Sequence, residues 1–79
     1  MVKSFKKHDQ DIIQFVGERV KMLRNQKGLT QEELANESEV SLAQIKRIEL
    51  GTINTSIRAL ERITATLNIK VNEFFEGYK

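Results

Sequence analysis

The sequence predicts an all-α domain built around a helix-turn-helix unit, and three observations support this prediction. Apolar residues recur at intervals of three and four in the N-terminal part and again after Gly51, the spacing of helices with one buried face. Two capping-box patterns, which begin at Thr30 and Ser41, place two helix starts eleven residues apart. A second helix that starts so soon after the first must cross it steeply, which is the geometry of a helix-turn-helix unit.

The composition is that of one small soluble domain. The 79 residues, 39% hydrophobic and 30% charged, can form one modest core, so neither a catalytic cleft nor an enzymatic function is expected. No apolar run approaches the ~20 residues of a membrane span, and no apolar N-terminal segment indicates a secretory signal. A cytoplasmic location is therefore expected. Cysteine is absent and His8 is the only histidine, so neither a metal site nor a cofactor is predicted.

The N-terminal part is predicted to hold a basic arm and a first helix. Residues 1–8 contain three lysines and no periodic apolar pattern, so we interpret them as a flexible arm before a domain over residues 9–79. The first helix is expected from about Asp9 to Lys27, with Gly28 as its stop. Gly17 lies inside this helix at a cost of about 1 kcal/mol relative to alanine, which suggests either a close approach of another helix or the point where the ordered core begins.

The central unit is expected to bury one face of each helix and to leave one face of the second helix exposed. Its buried seam is predicted to consist of Leu34, Ala35, Val40, Ile45 and Ile48. The outer face of the second helix is then left with Leu42, Ala43, Lys46 and Arg47. A plain helical hairpin inside a small bundle is the alternative that the spacing leaves open.

Two further helices are predicted after Gly51. A polar loop ends at a helix cap, which is Thr55 or Ser56, and the following helix buries a regularly spaced apolar face: Ile57, Leu60, Ile63 and Leu67. A last short helix, VNEFFEGY, concentrates three of the five aromatic residues of the chain: Phe74, Phe75 and Tyr78. So many aromatics at one edge of a small core indicate that part of this surface is an interface.

The motifs of residues 29–63 resemble those of a known family. The ordered run LTQEELA, VS, QIxRIExG, N-x-S-I and L-x-x-I is similar to the Cro/CI-type (XRE) helix-turn-helix transcriptional regulators of bacteria and phages, and the likeness covers about residues 17–75. The resemblance implies a compact five-helix, lambda-repressor-like domain. It also implies binding to double-stranded operator DNA, with the recognition helix, about residues 41–50, in the major groove.

The resemblance also implies roles for individual residues. Base contacts are expected from Ser41, Leu42, Ala43, Lys46 and Arg47, and phosphate contacts from Gln31, Gln44, Asn54, Ser56 and Arg58. Arg24 and Glu49 match a family pair that joins the first helix to the end of the third, and we predict a largely buried salt bridge between them. Without the surrounding motif, Lys46 and Arg47 would be interpreted as two solvated charges.

Two positions depart from the family pattern. Glu39 stands in the turn where the family usually has glycine, and a non-glycine residue held at positive φ costs on the order of 1 kcal/mol. A reshaped turn is therefore the expectation. Thr55 stands where the family often has proline before the fourth helix, which affects the rigidity of the loop rather than the fold.

The charge pattern and the aromatic tail suggest partners. Residues 30–39 carry four acidic and no basic side chains, whereas residues 40–58 carry three basic and one acidic, an asymmetry that would orient the unit on a polyanion. A solvated acidic face explains the first of these segments equally well. The aromatic tail predicts a two-fold homodimer on a palindromic operator, with one of Phe74 and Phe75 in the core and the other at the interface. The alternative function is that of an antitoxin, whose tail would bind a toxin while the domain regulates its own promoter.

Overall fold

The described part of the chain folds into five helices, as the sequence predicted. The computed structural model describes the backbone of residues 2–78 and the side chains of residues 11–78. The described backbone contains helices and turns without a strand, which confirms the all-α class. The helices are α1 (Val2–Gln26), α2 (Gln31–Ser38), α3 (Leu42–Leu50), α4 (Ile57–Thr66) and α5 (Val71–Phe74).

Side-chain caps define the starts of the three central helices. The Thr30 hydroxyl accepts a hydrogen bond from the Glu33 amide at 3.0 Å, and a Glu33 carboxylate oxygen accepts one from the Thr30 amide at 2.9 Å. Ser41 caps α3 by accepting a hydrogen bond from the Gln44 amide. Ser56, rather than Thr55, caps α4. Each cap satisfies a backbone donor that the helix itself leaves unpaired.

The turn between α2 and α3 keeps the left-handed conformation that glycine usually supplies. Glu39 has φ 59° and ψ 35°, and its amide donates to the Ala35 carbonyl. The expectation of a reshaped turn was therefore wrong: the glutamate adopts the left-handed conformation despite the local cost of about 1 kcal/mol. Because the turn is preserved, α3 can leave α2 at the angle that the helix-turn-helix unit requires.

The core lies between α1, the helix-turn-helix unit and α4. Its fully buried side chains come from every helix: Val20, Leu34, Ile45, Ile48, Ile63 and Phe74. Gly17 of α1 faces the C-terminal half of α3, where a Cβ atom would overlap the carbonyl oxygen of Ile48. The close approach suggested by this glycine thus brings the backbones of α1 and α3 together and holds α3 against the core.

Both ends of the chain differ from the sequence-based prediction. The backbone of α1 begins at Val2 instead of near Asp9, and α5 ends at Phe74 and is followed by a turn. The side chains of residues 1–10, including His8 and Asp9, lie outside the described residues, so the flexible basic arm over 1–8 stays a prediction. Within the described part, no helix combines the length and apolarity of a membrane span.

Candidate nucleic-acid interface

One face of α3 points into solvent and carries two cations. Ala43, Lys46 and Arg47 are exposed, whereas Ile45 and Ile48 between and beside them are buried in the core. Residues three and four apart share a helix face, so these three side chains form one surface. Leu50 continues the same face by another turn and is 75% exposed. Sequence reasoning missed Leu50, although extending the spacing from Lys46 and Arg47 would have found it.

The start of α3 is less exposed than the sequence suggested. Ser41 is exposed, and its hydroxyl oxygen is engaged as the cap of α3 while its proton remains free to donate. Leu42 is half-buried and packs against the core, so its side chain does not lie wholly on the outer face. The physical reason is its position beside the short turn, where it lines a groove with Ala35 and Val40.

The residues expected to contact phosphates lie at the starts of helices and in the loop before α4. Asn54, Ser56 and Arg58 are exposed around the first turn of α4. Gln44 and Gln31, in the first turns of α3 and α2, are half-buried. The Gln31 side-chain amide donates to a Glu49 carboxylate oxygen at 3.0 Å, a contact that the sequence did not reveal. Gln31 is therefore held in place by α3 before any ligand arrives.

Arg24 and Glu49 form a bidentate salt bridge in the interior. The Arg24 Nε and Nη2 atoms lie 2.7 and 3.0 Å from the two carboxylate oxygens of Glu49, and the side chains are only 10% and 3% exposed. Arg24 also donates to the Leu29 carbonyl at 2.7 Å. Hydrogen bonding to Glu49 raises the pKa of Arg24 above its ordinary value, so the guanidinium stays charged. One ion pair thus connects α1, α3 and the loop before α2.

The electrostatic asymmetry expected from the sequence is a feature of the surface. Four exposed carboxylates lie on α2 and its turn: Glu32, Glu33, Glu37 and Glu39. The exposed face of α3 instead carries Lys46 and Arg47, and Arg58 extends the positive charge to α4. A polyanion approaching the unit is attracted to the α3 side and repelled from α2, which favours a single orientation.

The C-terminal aromatics are largely occupied within the chain. Phe74 is fully buried and is therefore the phenylalanine expected in the core, which removes it from the residues assigned to a dimer interface. Phe75 stacks on Phe15 of α1 with ring centroids 6.1 Å apart, and Tyr78 meets the same ring at 5.1 Å. The Arg19 guanidinium lies over the Phe15 ring, 4.9 Å from its centroid, and donates a hydrogen bond to the Glu76 carbonyl. The aromatic tail is therefore packed on α1.

Comparison with known proteins points to one family. A family model described as helix-turn-helix matches residues 20–74. The chain is 34% identical over 71 residues to an uncharacterized HTH-type transcriptional regulator of Sinorhizobium medicae, covering 90% of this chain and 51% of the relative. It is 34% identical over 63 residues to the HTH-type transcriptional regulator SlrR of Bacillus subtilis, covering 78% and 41%.

A phage protein shows the same likeness. The immunity repressor protein of Bacillus phage phi105 is 35% identical over 57 residues, which cover 72% of this chain and 40% of the repressor. The chain thus spans about half the length of the curated relatives it matches. The region that the family model matches, residues 20–74, contains the entire helix-turn-helix unit and α4.

Proposed function

The chain belongs to the helix-turn-helix family of Cro/CI (XRE) type, and on that premise we propose that it is a sequence-specific double-stranded DNA-binding regulator of transcription. The observation that supports this function most directly is the exposed face of α3. Ala43, Lys46, Arg47 and Leu50 project from a helix whose opposite face is fixed in the core. A helix held in this way can enter the major groove without disturbing the fold.

The residues on this face suggest which bases are preferred. Arg47 can donate two hydrogen bonds to guanine O6 and N7, and Lys46 can donate to the same atoms. Ala43 and the exposed part of Leu42 have no donor and suit thymine methyl groups, and Leu50 adds apolar surface at the far end. Ser41 can donate to a base from the helix start. A half-site that mixes guanine and thymine follows from this set.

Phosphate contacts fix the position of α3. Gln31 and Gln44 lie in the first turns of α2 and α3, where unpaired backbone amides favour an anion. Further phosphate contacts are proposed around the start of α4, from Asn54, Ser56 and Arg58. Arg58 adds a full positive charge to this group. Such contacts orient the protein on either side of the groove but carry no sequence information.

A two-fold dimer completes the proposal. Two copies would place two recognition helices roughly 34 Å apart, one turn of the double helix, on a palindromic operator. The alternative role as an antitoxin gains no support from the relatives described above, which bear the names of transcriptional regulators and a phage repressor. A toxin partner is therefore not part of the proposal.

Three single substitutions test the division between reading and positioning. Arg47→Ala is expected to erase discrimination at one base position in each half-site, at a cost of ~1–3 kcal/mol there, with much less effect on random DNA. Arg58→Ala is expected to weaken binding to all sequences. It should also lower the salt slope, which is the steepness with which the logarithm of the affinity falls with the logarithm of the salt concentration, by about one unit per contact. Gln31→Ala should also weaken binding to all sequences, but the salt slope should stay nearly unchanged because the glutamine side chain is uncharged.

These affinities can be measured by fluorescence anisotropy on specific and random duplexes over a range of salt concentrations. Lys70→Ala is the matched control, because Lys70 is an exposed cation outside the proposed contacts. Thermal stability must be measured alongside for Gln31→Ala, since Gln31 also donates to Glu49. If Arg47→Ala weakened binding to specific and to random DNA equally, Arg47 would be a phosphate contact. That result would contradict the assignment of Arg47 to the face that reads bases.

A further inference from the structure

The Glu49 carboxylate is the point where side chains from three helices meet. Its two oxygens accept hydrogen bonds from the Arg24 guanidinium of α1, and one of them also accepts from the Gln31 side-chain amide of α2, at 3.0 Å. The Glu49 side chain is 3% exposed, and Arg24 is held further by the Leu29 carbonyl. The carboxylate is therefore fixed in the interior, whereas Gln31, which it holds, is half-buried and reaches the surface.

The ion pair determines which way the Gln31 amide points. A glutamine amide has a donor end and an acceptor end of nearly the same shape, and its hydrogen-bond partner decides between them. The reverse orientation would place the amide oxygen against a carboxylate oxygen of Glu49, and two acceptors without a hydrogen between them repel each other. Among the described residues the Nε2 atom has one acceptor, Glu49, so its second N–H group remains available to an oxygen outside the chain.

A donor fixed in this way is needed at the start of α2. Unpaired backbone amides in the first turn of a helix favour an anion, but Glu32 and Glu33 are exposed carboxylates in the same turn and repel one. The Glu33 amide is also engaged already, because it donates to the Thr30 hydroxyl. The helix start alone is therefore a poor phosphate site, and a correctly placed side-chain donor improves it.

Building on the function above, we propose that Arg24 and Glu49 are positioning residues for DNA binding: they hold the Gln31 amide so that its second N–H group donates to a phosphate oxygen. A mobile glutamine loses rotamer freedom when it binds, which weakens affinity by roughly threefold to tenfold for one such side chain. Here the side chain is ordered on folding instead. Because Glu49 lies two positions after Arg47 on α3, the pair also fixes the phosphate contact relative to the side chain that reads a base.

The test compares one substitution in two backgrounds. The first background is the parent. The second, the apolar-pair background, carries Arg24→Met and Glu49→Leu, and such a replacement of a buried ion pair by apolar side chains of similar size is often neutral for stability. In each background, Gln31→Met removes the amide and keeps the length of the side chain. Binding to a random-sequence duplex is measured by fluorescence anisotropy, and each affinity is corrected for the folded fraction found by chemical denaturation.

The effect of Gln31→Met is expected to depend on the background. In the parent it should weaken binding roughly tenfold, as the loss of a hydrogen bond to a charged group does. In the apolar-pair background it should weaken binding about threefold or less, because there the amide must be ordered by the DNA itself. Equal factors in the two backgrounds would overturn the inference, since the ion pair would then have a structural role alone.

The matched control is Arg58→Ala, which removes a proposed phosphate contact on another helix, α4. It should weaken binding by the same factor in both backgrounds, because substitutions at independent sites have additive effects. If the apolar-pair background reduced the effects of Arg58→Ala and Gln31→Met alike, the loss would be a general one. That result would also overturn the specific positioning of Gln31.

Nitrogen relaxation of the free protein tests the ordering without DNA. The order parameter of the Gln31 Nε2 atom should approach the ~0.85 of a rigid backbone, whereas that of the exposed Gln14 should stay below about 0.6. In the apolar-pair background the Gln31 value should fall to that of Gln14. The inference is contradicted by a Gln31 amide that is as mobile as Gln14 in the parent, or by one that stays equally rigid without the ion pair.

These measurements separate the inference from the proposed function. If the parent binds no duplex although its Gln31 amide is rigid, the proposed function fails, and the positioning role on DNA fails with it. If the parent binds and Arg58→Ala weakens binding, while Gln31→Met has the same effect in both backgrounds, the function holds and only the positioning role is contradicted.

Discussion

Replacing Glu49 with alanine is expected to remove a large part of the stability of the domain. The substitution leaves Arg24, whose side chain is 10% exposed, without its carboxylate partner in the interior. Breaking a buried pair by removing one member typically costs about 3–5 kcal/mol. Total stabilities of small domains are only about 5–15 kcal/mol. Gln31 loses its hydrogen-bond acceptor as well, so the start of α2 is loosened by the same change.

Chemical denaturation followed by circular dichroism measures this loss. Glu37→Ala is the matched control, because Glu37 is an exposed glutamate on α2 and its removal should change stability by less than about 0.5 kcal/mol. The double variant Arg24→Met with Glu49→Leu removes both charges and should be more stable than Glu49→Ala. A midpoint for Glu49→Ala close to the parent's would mean that the pair contributes no more than a surface ion pair, ~0–1 kcal/mol.

Gly17→Ala is expected to destabilise the domain by about 1–3 kcal/mol, against the usual preference of helices for alanine. In an exposed helix this change would stabilise by about 1 kcal/mol. Here the new Cβ would overlap the carbonyl oxygen of Ile48 and lie 3.2 Å from that of Glu49. Both are backbone atoms, so relief requires α1 and α3 to move apart, and the Arg24–Glu49 ion pair between the same helices would be stretched.

The measurement is again the denaturation midpoint, with the neighbouring exposed residue as control. Glu18→Ala introduces alanine one position along the same helix, where the side chain faces solvent, and should change stability little. A Gly17→Ala variant as stable as the parent, or more stable, would show that α1 and α3 do not meet at this glycine. The packing that holds α3 would then need another explanation.

Local signals in the sequence were sufficient for the helix-turn-helix unit. The caps at Thr30 and Ser41 depend on residues three positions apart, so their hydrogen bonds could be predicted without knowledge of the fold. The residues that end two of the helices could be predicted in the same way. Gly51 and Asn68 have φ 73° and 58°, because glycine and asparagine tolerate the left-handed backbone conformation better than most residues. The ion pair of Arg24 and Glu49, 25 positions apart, was expected only through the family resemblance.

Features that depend on tertiary packing were not predictable in this way. The aromatic tail suggested an interface, but Phe75 and Tyr78 contact Phe15, some 60 residues earlier in the chain. The local sequence of neither segment predicts this contact. Leu42 fits the outer face by spacing, yet the tight turn draws it partly into the core. Ile57 fits a buried face by spacing and is nevertheless exposed, because it lies at the first position of α4 beyond the edge of the core.

The central proposal is that the exposed face of α3 recognises a specific DNA sequence, and selection of bound duplexes from a random library tests it most directly. The parent chain is expected to enrich a two-fold symmetric sequence, with guanine- and thymine-containing half-sites centred about 10 base pairs apart. Arg47→Ala, selected in parallel, should lose the preference at one position of each half-site. Recovery of unenriched sequences by the parent, or an identical motif from Arg47→Ala, would contradict recognition through this face.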